Sequence, residues 1–362
     1  MSKKLKLDNR NLWMEGNYSS KLVYLKNAKI IEGLSELTDT KFEFLSSDDD
    51  LDLQDILGST ITLGQLDARE KKRYFTGICV SVEYLGLHQG LSHFAAELRP
   101  WLWFLTRTTE SRIFQEKTVL EIIQEVLNGP NYGFWSDVDK KTTARYRQRP
   151  YCVQYNETDF DFICRLMEEE GIYYYFVQDG TKLKMVLADS ISAHKHTPDG
   201  PDFDFHFAEK EYRRSEEHIF SWTEFTEITT GKITLADYDF ERPSAEKKFV
   251  TKIPKGNYKT FENYRYPAQR RVEGNGENFA KIRAQAEALR HKKSQGIANI
   301  RTLGVGQLLK LKGHPRKINN IEYLVTKAVH LLQIETDYQE TDSNTSLSGN
   351  MVKDDEYHTD SY

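Results

Sequence analysis

Cysteine is scarce: the 362 residues hold three, Cys79, Cys152 and Cys164, odd in number and without a CxxC spacing. That argues against a disulfide framework or a cysteine-based zinc site and suits buried thiols in a reducing compartment. Long hydrophobic runs are absent too: nowhere do about 18 apolar residues follow one another, as a bilayer-spanning helix requires. The opening MSKKLKLDNRNLW carries charges but no apolar centre, unlike a secretory signal, so synthesis in the cytoplasm is the expectation. A charge excess is missing as well. The net charge is -5 and the pI about 6.1, which gives no global field for nucleic acid or an anionic membrane. No GxSxG, Walker A, HExxH or cysteine-nucleophile pattern occurs.

What is present is aromatic. Tyr 20 and Phe 19 raise the aromatic share to 12% despite a mean hydropathy of -0.66, a profile of folded, strand-rich chains rather than disordered ones. The length allows two or three domains at ~100–200 residues each. Leu22–Ile31, Lys41–Leu45, Ile61–Gly64, Tyr74–Tyr84 and Leu91–Leu98 alternate as strands with short turns between them, the spacing of an antiparallel barrel or sandwich. Asp48-Asp49-Asp50 reads as a solvated turn. After Pro100, alternation places Trp101 and Trp103 on one face and Leu102 and Phe104 on the other. Thr118 and Glu121 form a capping box before a helix with Val119, Ile122, Ile123, Val126 and Leu127 inward, ended by Gly129-Pro130.

The most legible stretch is Tyr151–Ser190. Tyr151–Tyr155 is a strand, Thr158 a helix cap with Asp161 three residues on, and Phe160, Ile163, Leu166 and Met167 an apolar stripe. Gly171 stops the helix in a left-handed conformation. Ile172–Val177, an Asp179-Gly180 turn and Leu183–Ala188 make a hairpin. Beyond Ser190, a Pro/Gly-broken stretch with His194, His196 and His206 reads as a long crossing loop. Strands resume from Phe220 in FSWTEFTEI and KITLADYDF, and Pro243–Tyr266 reads as irregular. Glu277–Gln295 is the second helix, with Phe279, Ile282, Ala286 and Leu289 inward, Lys292 and Lys293 in its last turn and Gly296 past its end. Gln307–Lys312 and Tyr323–Gln333 are the last strands, and from Thr336 the chain is acidic and Ser/Thr-rich.

Several clusters invite chemistry. His194, His196 and His206 with Asp202 and Asp204 contain metal-ligand types but lack any grid of the kind metal sites show. Glu168, Glu169 and Glu170 could suggest paired carboxylates, yet consecutive helical positions diverge by about 100° and no nucleophile accompanies them. Three acids at a helix C-terminus oppose the macrodipole by ~0.3–1 kcal/mol each. Arg165 is placed to pair with Glu168 or Glu169. The expectation is that the three acids meet a basic partner from another subunit or another part of the chain, and Arg165, Glu168, Glu169 and Glu170 are the interface candidates. Lys140–Tyr151 mixes cations with tyrosines as single-stranded nucleic-acid platforms do, and a pairing surface for acidic neighbours is the alternative. Gly274-x-Gly276 is a weak phosphate-cradle pattern. No catalytic, cofactor-binding or metal residue is assigned.

The run RPYCVQYNETDFDFICRLMEEEGIYYYFV followed by MVLADS, the upstream LRPWLWFLTRTTESRIFQEKTVLEIIQEVL and the downstream LKGHPRKINNIEYLVTKAVHLL resemble, in order, segments of the VgrG family of type VI secretion spike proteins, whose hub is similar to that of contractile phage tails. The resemblance implies an α+β, mostly β fold: two antiparallel β-barrel lobes of the tail-hub type with an intervening helix/hairpin region. The implied division is a polar lead 1–20, a first lobe 21–115, an α+β region 116–200, a second lobe 201–340 with helix 277–295, and a flexible acidic tail 341–362. It also implies a non-enzymatic, cofactor-free homotrimer with a pseudo-sixfold base docked on the Hcp tube. A PAAR tip protein and secreted effectors would be held through a C-terminal region this chain does not show, without nucleic acid or a membrane anchor. Assembly would be cytoplasmic, followed by export through the apparatus to the extracellular space or a target cell. A phage baseplate hub and a cell-wall hydrolase are the other two readings. Ile61–Gly86 and Leu308–Leu332 share a strand, turn and strand pattern that leaves a duplication open; the family's paired barrels favour one.

Overall fold

A computed structural model describes residues 11–16, 23–66, 70–207, 216–238, 247–252, 260–266 and 276–333. Gly274, most of the polar lead and the tail from 334 lie outside them. The first lobe contains β1 (Leu12–Gly16), β2 (Val23–Gly33), β3 (Asp39–Ser46), the single turn α1 (Leu53–Ile56), β4 (Thr60–Leu66), β5 (Lys72–His88) and β6 (Leu91–Arg99). The central region adds β7 (Thr109–Lys117), α2 (Val119–Leu127), β8 (Val138–Lys140), β9 (Arg149–Thr158), α3 (Asp159–Glu170), β10 (Tyr173–Asp179) and β11 (Lys182–Ala188). The remainder comprises β12 (Lys195–His196), β13 (Asp202–Asp204), β14 (Ile219–Thr226), β15 (Lys232–Asp237), β16 (Lys247–Lys252), β17 (Glu262–Arg265), α4 (Gly276–His291), β18 (Lys292–Ala298), β19 (Gln307–Lys312), β20 (Glu322–Leu324) and β21 (Lys327–Gln333).

The fold is α+β and mostly β, as the resemblance implied. The first lobe is a seven-stranded sheet ordered β1-β4-β5-β6-β3-β2-β21. Alternation along its strands turns Phe42, Phe44, Ile61, Leu63, Phe75 and Phe94 to one interior, with Phe44 stacked on Phe94 at 5.0 Å. Period-two patterning thus does what sheets require of it. Two findings go beyond the sequence. Part of the polar lead is strand β1, which buries Leu12 and Met14. The final strand β21 leaves the second lobe to pair with β2, from Gly33↔Lys327 to Asn27↔Gln333.

The WLWF run is not a strand. Pro100 opens a 3-10 turn over Trp101–Arg107 that buries Trp101, Leu102 and Leu105, while the Arg107 guanidinium covers Trp103 at 4.3 Å. A helical turn places residues 101, 102 and 105 on one side, so the strand-like division of the tryptophans fails. The central core joins this turn to α2 and α3 and to the inner faces of β7, β9, β10 and β11. The capping box of Thr118 and Glu121 is formed, and all five expected residues of α2 are buried.

In the second lobe the loop after Ser190 forms β12 and β13, both parallel to β19. The irregular 243–266 region contributes β16 and β17, which flank β15. Helix α4 ends at His291, four residues before the expected Gln295: Lys292 and Lys293 belong to β18, paired with Thr226 and Phe225. Phe279, Ala280 and Ala284 face the core, whereas Leu289 is 68% exposed. Strand pairing with β14, where Trp222 packs over Gly296, wins over the helical pattern. The expected strand 323–333 is likewise broken, because Val325 still donates to Gln307 of the second lobe while Thr326 accepts from Leu34 of the first.

Candidate assembly surface

The unit β9–α3–β10–β11 carries the interface candidates. Thr158 caps α3, accepting from the Asp161 amide at 3.0 Å, and Gly171 closes it at φ 72. The buried stripe is Phe162, Ile163, Leu166 and Met167; Phe160 is only half-buried. Because α3 folds back along β9, its acidic end arrives beside the start of that strand. Arg149 forks there, Nη1 to Glu169 at 2.9 Å and Nη2 to Glu170 at 2.6 Å. Burial works against the Arg149 charge, but the two carboxylates outweigh it and hold the guanidinium firmly protonated. This bidentate clamp offsets the unfavourable macrodipole, so for Glu169 and Glu170 the basic partner lies in this chain. Arg165 bonds chiefly to Glu157, at 2.6 Å, and touches Glu169 only at 3.7 Å. Glu168 is exposed and, with Glu169, lines a small cleft against Leu235, Arg265, Phe279, Ile282 and Arg283 of the second lobe.

A Cβ at Gly171 would stand 2.9 Å from Ile282 Cδ1 of α4. Gly171→Ala therefore combines left-handed backbone strain of about 1–2 kcal/mol with displacement of Ile282. A thermal melt should show a lowered midpoint; an unchanged one removes this contact as a determinant of how α3 meets α4.

Two polar networks escaped sequence reading. Asp159, 2% exposed, forms an ion pair with Arg112 and accepts from Gln154 Nε2 at 2.8 Å and the Tyr132 hydroxyl at 3.0 Å. Arg112 also donates to Gln154 Oε1 from Nε at 3.0 Å and Nη2 at 2.8 Å. The only local signal was a strand arginine opposite a residue just before a cap, in a register no single sequence reveals. Asp189, from MVLADS, accepts from the amides of Thr143 and Ala144 and from the Tyr146 hydroxyl, at 2.7 to 2.9 Å. Burial alone would raise its carboxyl, but these bonds outweigh burial and hold it below its ordinary value. Tyr146 and Arg149 are thus turned into the fold, which removes two members from the nucleic-acid pattern of Lys140–Tyr151.

The histidines do not converge. His194 is buried between Tyr173 and Tyr175, Nε2 to the Tyr173 hydroxyl at 2.7 Å and Nδ1 to the Gly306 carbonyl at 2.8 Å. His196 meets Glu322 at 2.7 Å, and His206 packs on His218. Among the described residues no group of three His, Cys, Asp or Glu could hold a metal. Burial pushes the Cys79 thiol up to about 11 and the Cys164 thiol up to about 12, Asp161 adding to the latter. Asp159, Asp189 and His194 are thus each held by neighbours within the fold.

The family described as the phage tail baseplate hub (GPD) matches residues 31–336. The type VI secretion system spike protein VgrG1a of Pseudomonas aeruginosa is 36% identical over 298 residues, 82% of this chain and 46% of that protein. VgrG1b of the same organism is 35% identical, over 80% of this chain and 38% of its own length. The chain thus spans less than half the length of these relatives. In fold it is similar to the E. coli c3393 protein, a component of the type VI secretion system with structural similarity to T4 bacteriophage tail proteins gp27 and gp5. That likeness has a TM-score of 0.67 at 17% identity and covers 90% of this chain and 74% of that one. The tail protein from Neisseria meningitidis MC58 follows at 0.60 and 11% identity, covering 90% of this chain and 93% of its own. The chain belongs to the phage tail baseplate hub family, and over most of its length it is similar to type VI secretion system spike proteins.

Proposed function

We propose that this chain is the structural hub of a cell-puncturing type VI spike. Three copies bring their β-rich lobes, within 21–115 and 201–340, into a pseudo-sixfold base that docks on the Hcp tube. The α+β region 116–200 braces the lobes. The needle, PAAR tip and effector cargo belong to the rest of a full-length spike. Assembly takes place in the cytoplasm and export follows through the apparatus. The observation that carries this reading is the 36% identity to a spike protein across 82% of the chain. The chemistry agrees with a mechanical rather than a catalytic role: Arg149, Asp159 and Asp189 are closed into internal clamps. A phage baseplate hub is the second reading, favoured by the match to the phage tail baseplate hub family; sheath and Hcp genes against capsid and portal genes beside this one distinguish the two.

Among the interface candidates, Glu168 is the acid we assign to an outward contact, with Arg165, Glu169 and Glu170 holding its helix end in place. Light scattering behind a sizing column should give three times the 42.2 kDa chain mass at high concentration, and Glu168→Lys should shift that equilibrium toward monomer. A concentration-independent monomer moves trimerisation outside this region. A stable dimer overturns the hub reading.

A further inference from the structure

The two lobes are joined by a buried ionic seam that neither the family likeness nor the spike reading assigns a role. Glu32 at the end of β2, Arg73 on β5 and His330 on β21 meet there, with side chains 17%, 17% and 12% exposed. Arg73 reaches out of the first sheet: its Nη1 donates to the carbonyls of Arg301 and Leu303, the latter at 2.8 Å, and its guanidinium lies over Phe75 at 4.6 Å. The second lobe answers with Arg301, whose Nη1 donates to the Leu66 carbonyl at 3.0 Å and whose amide donates to Glu217 at 3.2 Å.

One nitrogen stands between opposing demands. His330 Nε2 is 2.9 Å from the Glu32 carboxylate and 3.3 Å from Arg73 Nη2. The shorter contact places a proton on Nε2, donated to Glu32, and leaves Nδ1 as the site for a second proton. Adding it takes the cluster from neutral to a net positive charge, with an imidazolium against a guanidinium and one carboxylate to serve both. Among the described residues, the charged groups facing His330 are Glu32 from β2 and Arg73 from β5, and Arg73 in turn faces Glu217. Among the described strands β21 is an edge strand paired with β2 only, so it has one ladder of hydrogen bonds to hold it against that repulsion.

We propose that β21 and the 301–304 loop form an acid-released clasp between the two lobes, opened by protonation of His330. Burial and the neighbouring Arg73 lower the His330 value from its ordinary 6.5, against the pull of Glu32. A base depressed in the folded state binds its proton more readily once released, so stability present above about pH 6.5 is lost as pH falls through the folded value. Burial works against the Glu32 charge, but His330 and Arg73 outweigh it and hold the carboxyl below its ordinary range, so Glu32 is ionised at both about pH 7.5 and about pH 5.5.

Hydrogen exchange of the whole chain, corrected for intrinsic rates, tests this at about pH 7.5 and about pH 5.5. Protection in 299–304 and 327–333 should fall by up to about tenfold for each pH unit between about 6.5 and the folded value and level off below it, while 39–46 and 91–99 keep theirs. His330→Gln, which retains an amide donor for Glu32 but takes no proton, should abolish the pH dependence. Unchanged wild-type protection, or an equal fall in His330→Gln, overturns the clasp. Should that variant not fold, the His330 ring titration in wild type decides by NMR: a midpoint below about 6.5, at the pH where the loss of protection levels off, supports the clasp, and any other midpoint overturns it.

Discussion

Replacing Arg112 with alanine should cost about 3–5 kcal/mol of unfolding free energy, among the largest effects of any single side chain in the central region. The cost does not come from the value of the ion pair itself. Asp159 is 2% exposed, and without the guanidinium its charge stays in the interior with only the Gln154 amide and the Tyr132 hydroxyl as side-chain donors. Gln154, fully buried, loses the donors to its Oε1 at the same time. Urea denaturation of Arg112→Ala, Asp159→Asn and the double variant measures this. The double variant should be more stable than the sum of the single losses implies, because the neutral amide no longer needs the cation. Additive losses would mean that the two residues act independently, against the geometry.

Phe162→Ala should cost about 3–5 kcal/mol, with Phe160→Ala at less than half of that. Phe162 is fully buried and stacks on Phe114 of β7 at 5.4 Å between centroids. Phe160 is half-buried at the margin of the same core. Chemical denaturation of both variants separates them, and equal losses would show that α3 is rotated about its axis relative to the arrangement described here.

That pair also shows where sequence legibility stops. Thr118 with Glu121, Thr158, Gly171 and the turn at Gly180 were all readable, since each depends on hydrogen bonds and dihedral preferences within a few residues. The alternating strands of the first lobe were readable for the same reason. The face of α3 was not. In DFDFICRLM both phenylalanines keep helical spacing with residues 163, 166 and 167, and the choice between them is made by Phe114, far away in sequence. The clamp on Glu169 and Glu170 is similar: the mismatch with the macrodipole was visible and predicted a basic partner, but Arg149 could be found only from the way α3 folds back on β9. Helix α4 failed for the opposite reason. The sequence expectation carried it to Gln295, yet the pairing of β18 with β14 ends the helix at His291, and tertiary pairing overrides local propensity.

The return of β21 to β2 has a consequence for how the protein is made. On the ribosome, β2 and β3 emerge early, but the partner that covers the far edge of β2 is among the last of the described residues to be synthesised, with Asn27 waiting for Gln333. At ~5–20 residues per second that wait is on the order of 15–60 s. Throughout it, a nascent strand with an open hydrogen-bonding edge is a template for the same strand on a neighbouring polysome. Completion of the first sheet is therefore a late, long-range closure, and the chain's exposure to misassembly is greatest before it has left the ribosome.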